Sequence, residues 1–237
     1  MSDELSLPDS PPEASPPVDP AMDAAAARLV RGTVVAAARD HLVRTDGRTL
    51  EEQVRLTEIP APPFAEEARG RAMAELMVEA GLERVETDAV GNVLGWYGRP
   101  GTSPVVVAAH LDTVFPEGTD VAVRQVGDRL VGPGIGDDGR GLAAILALAR
   151  ALRAAGARFR RPLLVVATVG EEGRGDLRGV RHLFGPRGLG RYATGFVSLD
   201  GAGNRRIVNR AVGARRWRAT VRGPGGHSWV DWGVANP

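Results

Sequence analysis

The sequence predicts an α/β fold, a mixed and largely parallel sheet flanked by helices, on three observations. Val105 to Val114 (VVVAAHLDTV) opens with five small or β-branched apolar residues behind Pro104, the pattern of a strand buried on both faces. Pro162 to Val169 (PLLVVATV) is a second fully buried run, and Gly195 to Asp200 (GFVSLD) is a third apolar strand that ends in a carboxylate. Between the first two runs, Leu142, Ile145, Ala149 and Leu152 keep one face of a helix apolar. Uniformly apolar strands alternating with amphipathic helices put a parallel sheet between helical layers.

The remaining elements follow in order. Residues 1–20 are rich in Pro, Ser, Asp and Glu, lack an apolar period, and are expected to be a disordered leader. Ala21 to Leu42 is Ala-rich and reads as a helix, weakened at Gly32 and the Thr33-Val34-Val35 triplet. A second helix is expected near Leu50 to Leu56, stopped by Ile59-Pro60-Ala61-Pro62-Pro63. Met73, Leu76, Met77 and Ala80 then recur at helical spacing before the Gly81 stop. Val85 to Asp88 and Asn92 to Tyr97 read as strands joined through Gly91, and Asp120 to Val126 with Arg129 to Val131 as a hairpin around Gly127-Asp128. The Gly-rich loop Gly132 to Gly141 (GPGIGDDGRG) leads into the amphipathic helix, which Gly156 ends. From Ala214 the character changes: Arg215 to Val221 alternates as an exposed-face strand does, GPGGHS follows over Gly223 to Ser228, and a domain boundary is expected near Asn209 to Gly213.

Composition narrows the chemistry. The 237 residues carry a formal net charge of +1, which provides no global field for nucleic acid or an anionic membrane. Lys is absent, which excludes a Walker-type phosphate loop and Schiff-base catalysis. Cys is absent too, which removes disulfides, thiolate nucleophiles and Cys-ligated zinc. Any metal has to be held by His and carboxylates. No apolar stretch is long enough to span a bilayer and no secretory signal pattern opens the chain, so a cytoplasmic location is expected.

The expected strands end on chemistry. His110 and Asp112 leave the first strand two residues apart, hence on one side. Glu171-Glu172 follow the second strand, Asp200 ends the third, and Asp137-Asp138 sit in the glycine loop. Each has a plainer use: a core histidine, a turn former or helix N-cap, a solvated loop. Their arrival at equivalent strand ends, where open α/β sheets bind ligands, favours a shared site. A phosphate cradle at GPGIGDDGRG is disfavoured, because the acidic pair repels an anion.

Taken together, HLDTV, GPGIGDDGRG, the strand ending GEEG, SLDG and GPGGHS resemble, in order and spacing, the dinuclear zinc exopeptidase and deacylase family. Its members include peptidase T, glutamate carboxypeptidase, aminoacylase, acetylornithine deacetylase and succinyl-diaminopimelate desuccinylase. The resemblance runs from about Leu50 to Pro237. It implies a catalytic zinc-hydrolase domain over 21–212 and the start of a truncated α+β lid and dimerisation domain over 213–237. By that resemblance His110 and Asp200 ligate one zinc, Asp137 bridges two, and Glu172 ligates the second. Asp112 orients His110 from behind, and Glu171 is the general base that deprotonates the bridging water. His227 matches a residue that stabilises the tetrahedral oxyanion, often from a partner subunit's lid; its plainer reading is a surface-turn histidine. His41 and His182 fall in no motif.

Two departures stand out. Many relatives follow the second acid of the loop with Lys and Gly, where this chain has Gly139-Arg140-Gly141. Relatives also complete the second zinc site with a His after the lid, a segment this sequence does not contain. The expected function is therefore hydrolysis of an amide bond in a small peptide by a two-metal site (zinc, with cobalt or manganese possible), in an N-terminal part of such a protein that works as a homodimer through the lid. Asp at 200 resembles the peptidase branches, peptidase T-like or carboxypeptidase-like. The alternatives are an N-acyl amino acid deacylase and an inactive metal-binding fragment.

Overall fold

The computed structural model describes residues 19–201, 207–209, 219–223, 225–227, 229, 230 and 232. The chain divides into two compact units, Met1–Ala202 and Gly203–Pro237. In the first unit a five-stranded sheet runs in the order β1-β2-β6-β3-β7. Its strands are β1 (Glu83–Thr87), β2 (Val93–Tyr97), β3 (Val105–His110), β6 (Leu163–Thr168) and β7 (Gly195–Ser198). The pairs β6/β3 and β3/β7 are parallel, whereas β1/β2 and β2/β6 are antiparallel. The mixed, largely parallel sheet flanked by helices is thus the architecture expected from the apolar runs. Strands β4 (Arg124–Val126) and β5 (Arg129–Val131) form a separate hairpin.

The absence of alternation in β3 and β6 has a direct cause. Val107, Ala109, Val165 and Ala167 pack on one face with Leu56 of α3 (Asp46–Thr57), Met73, Leu76 and Met77 of α4 (Glu67–Glu79), and Leu142, Ile145 and Leu146 of α5 (Gly139–Ala154). Val106, Ala108, Leu164 and Val166 face the other way, against Leu94, Trp96 and Leu183. Side chains that alternate between two buried faces leave no period in the sequence.

Several expectations are corrected in detail. The helix expected over Ala21 to Leu42 is two, α1 (Pro20–Val30) and α2 (Thr33–Arg44), because Gly32 takes an extended backbone as the N-cap of the second. Pro20, assigned to the leader, is the first residue of α1, whose N-cap Asp19 accepts from Ala21 N; residues 1–18 of that leader lie outside the described residues. Strand β4 begins at Arg124 and not at Asp120. Ala122 N donates to Asp120 Oδ1 and Val123 N to Glu58 Oε1, so neither amide is available to a ladder. A short helix, α6 (Arg178–Leu183), follows the acidic turn and was not expected. The strand expected over Arg215 to Val221 and the boundary near Asn209 to Gly213 lie mostly outside the described residues.

Candidate metal centre

The parallel strands deliver their carboxyl ends to one edge. His110 is the last residue of β3, Glu171-Glu172 follow β6 after Gly170, and Asp200 follows β7. Gly170 turns there with φ of +62°, a conformation that costs glycine little. His110 is 3% exposed, and its Nε2 lies 2.8 Å from Asp137 Oδ1 and 3.7 Å from Asp200 Oδ1. One ligand atom from each of His110, Asp137 and Asp200 falls within a 4.8 Å cluster, as does one from each of His110, Glu171 and Glu172.

Asp112 holds this edge together from beneath. It is fully buried, and its two carboxylate oxygens accept the backbone N–H groups of Glu171 (2.9 Å) and Glu172 (2.8 Å). Its Oδ1 also lies 3.7 Å from His110 Nδ1, a close electrostatic contact that is too long for a hydrogen bond. Asp112 therefore fixes the acidic turn directly and His110 through its charge. An Asp112→Asn variant keeps the shape but turns one acceptor into a donor facing an N–H. The expected cost is about 1–3 kcal/mol of stability, read from the denaturant midpoint. An unchanged midpoint would show that the turn does not depend on this carboxylate.

The charges are tightly linked. Burial works against an imidazolium at His110, yet the nearby carboxylates of Asp112 and Asp200, with the Asp138 charge, push its pKa up to about 11. Burial also raises Asp112, but the attraction of His110 and the hydrogen bonds from the two backbone amides outweigh it and leave this carboxyl below its usual range. Asp200 is lowered chiefly by its closeness to His110. Glu171 is raised, first by burial and then by the charges of Glu172, Asp200 and Asp112, which His110 opposes. Glu172 is raised by burial and by Asp137. A surplus of carboxylates around a single imidazole is an electrostatic environment that a divalent cation relieves.

The two adjacent acids of the glycine loop do different things. Asp137 is half-exposed and faces His110. Asp138 is buried, N-caps α5 by accepting Gly141 N (3.1 Å), and accepts His110 N (2.8 Å), which ties the loop to β3. Burial, with Asp200 and Asp137 adding to it, pushes Asp138 up to about 8. The peptide bond between them is cis.

Glycine at 139 has a packing reason. A Cβ built there collides with Thr57 Oγ1, whose hydroxyl donates to Gln53 O at 2.7 Å. Gly139→Ala is expected to cost about 1–3 kcal/mol by overpacking. Thr57→Ala in the same chain should return part of it, because Thr57 Cβ sits 3.6 Å from the added carbon. Thermal melting of the two single variants and the double variant checks this. Strict additivity would place the strain elsewhere.

Three supporting residues carried no sequence signal. Arg69 is 1% exposed in α4 and donates to the carbonyls of Ile59 (2.9 Å), Leu111 (2.7 Å) and Thr57 (3.1 Å), holding the backbone between His110 and Asp112. Burial lowers its pKa to about 10, still charged at neutral pH. Asn92 is fully buried, takes Val169 N (3.0 Å) and gives its Nδ2 to Asp88 and to Gly179 O. Gln53 in α3 reaches the glycine loop. Each binds backbone far away in sequence, and neither spacing nor composition reveals that.

His227 belongs to the second unit, where its Nδ1 accepts from Trp229 N (3.3 Å) and Val230 N (3.4 Å). Among the described residues no helix is long and apolar enough to cross a membrane.

Residues 106–214 match the model of peptidase family M20/M25/M40. No curated protein sequence matches the chain. Among solved structures, the chain is similar to the di-peptidase Dug1p of Saccharomyces cerevisiae, with TM-score 0.57 and 14% identity over 71% of this chain and 41% of that one. It is similar to human carnosine dipeptidase 1, with TM-score 0.54 and 17% identity over 71% of this chain and 41% of that one. It is also similar to aminopeptidase PepT of Bacillus cereus, with TM-score 0.51 and 23% identity over 66% of this chain and 44% of that one. At these identities the likeness establishes the shared fold. The chain spans less than half the length of each.

Proposed function

We propose, from the match of residues 106–214 to the model of peptidase family M20/M25/M40, that the chain carries the metal-binding half of a hydrolase that cleaves an amide bond in a small peptide. The observation that carries the reading is the convergence of His110 Nε2 with carboxylate oxygens of Asp137 and Asp200, beside the Glu171-Glu172 turn. The donor set fits a divalent metal. It consists of one imidazole nitrogen and hard carboxylate oxygens without thiolate, a set that accepts zinc, cobalt or manganese. The opposite imidazole nitrogen, Nδ1, is buried without a hydrogen-bond partner, 3.7 Å from Asp112.

In this reading His110 and Asp200 hold one metal, Glu172 contributes to a second, and Asp137 lies between them. Bound there, two such ions would acidify a water and polarise the scissile carbonyl. The chain's own residues do the rest. Asp112 keeps the turn in register through both backbone amides, so that Glu171 and Glu172 take separate tasks one residue apart. Glu171, its affinity for a proton raised by burial and by neighbouring acids, accepts the water's proton at its carboxylate and passes it to the leaving amine. His227 as oxyanion donor and a homodimer built through the second unit belong to the same reading, and rest on the motif resemblance.

The test is a panel of dipeptides, tripeptides and N-acetyl amino acids assayed before chelation, after it, and after return of zinc, cobalt or manganese. Peptide hydrolysis that disappears with the metal and returns with it is the expected result. Preference for the acetylated substrates would move the assignment to a deacylase. Metal binding without turnover of any member would support a metal-binding fragment.

A further inference from the structure

We propose that Gln53 is a positioning residue for the candidate metal ligand Asp137, stapling both ends of the loop that carries it. Gln53 is 7% exposed on α3. Its Nε2 donates to Ile135 O at 2.7 Å, two residues before Asp137, and its Oε1 accepts from Arg140 at 3.3 Å, three residues after. The two partners bracket the Asp137-Asp138 pair. The amide satisfies both, because the carbonyl requires a donor and the guanidinium an acceptor. A carboxylate lacks the first, and an ammonium lacks the second.

The platform beneath the staple is rigid. The preceding residue, Glu52, takes a bidentate pair from Arg150 of α5 at 2.9 and 2.6 Å, which locks α3 to the helix that the loop enters. Thr57, one turn further along α3, closes on Gly139 and leaves the loop no sideways room. Asp138 is fixed by its own backbone bonds to His110 and Gly141. Asp137 is half-exposed, and among the described residues its side chain hydrogen-bonds only His110, so its carboxylate depends on the loop for its place.

The inference rests on the metal reading above, and its test keeps the two apart. Cobalt(II) affinity of the protein is measured by chelator competition, with the visible absorption of the bound ion and the melting temperature of the metal-free form. Gln53→Met, similar in length but unable to form either bond, is expected to weaken cobalt affinity about tenfold or more, the range for groups that orient metal ligands. Gln53→Glu retains a partner for Arg140 and loses the donor to Ile135 O, and should weaken affinity as well; it carries the test if the Met variant does not fold. Leu56→Val, a buried change on the same helix, is the control: it should lower melting and leave cobalt affinity within about twofold, since it touches no metal-orienting group. Wild-type affinity in a folded Gln53 variant, or an equal loss in the Leu56 control, overturns the staple. A wild-type protein that takes up no cobalt overturns the metal reading and the staple with it.

Discussion

Glu171→Gln is expected to retain metal and to lose turnover by about two to four orders of magnitude, the contribution of a positioned general base. The substitution preserves volume and leaves the backbone N–H of residue 171 on Asp112 Oδ1. What changes is the ability to accept a proton. Glu171 is suited to that task because burial and three neighbouring carboxylates raise its pKa, while His110 keeps the rise in check. The raised proton affinity suits the half-buried carboxyl to take a proton from water and pass it on. Metal content by elemental analysis and kcat on the best peptide of the panel decide the matter. A variant with full metal and undiminished kcat removes Glu171 from the proton path.

The same turn shows what a sequence can and cannot disclose. His110, Glu171, Glu172 and Asp200 stand at one sheet edge because three apolar runs announce their strands, and the polar groups begin where the apolar residues stop. Helix α5 was equally legible, with its face of Leu142, Ile145 and Ala149 now packed on the sheet. Helix α6 was not: six residues with Leu177 before it at φ of +56° are too short to display a period. Arg69 falls on the apolar face of its helix, four residues before Met73, yet the three carbonyls on which it is buried lie in other segments that no local pattern could foretell. Asn92 and Gln53 are hidden for the same reason, since a side chain that bonds backbone some eighty residues away leaves no mark on its neighbours. The motifs thus named the groups at the edge, and the polar residues that hold them in place came only from the fold.

Asp137 and Asp138 provide the sharpest separation of roles, because adjacent and identical side chains should give opposite phenotypes. Asp137→Ala removes a half-exposed carboxylate that faces His110 Nε2 and acts on Glu172 through its charge. In the proposed reading it serves both metal positions, so metal should be lost from both together while the metal-free protein melts nearly as before. Asp138→Ala removes a buried cap, leaves the N–H groups of His110 and Gly141 without their acceptor, and should cost about 1–3 kcal/mol of stability. Metal per chain and melting temperature, measured on both variants, separate the two. Two ions retained by Asp137→Ala would refute a bridging carboxylate there. A metal-free Asp138→Ala that melts like the parent would show that the loop is tied to β3 by something other than this carboxyl.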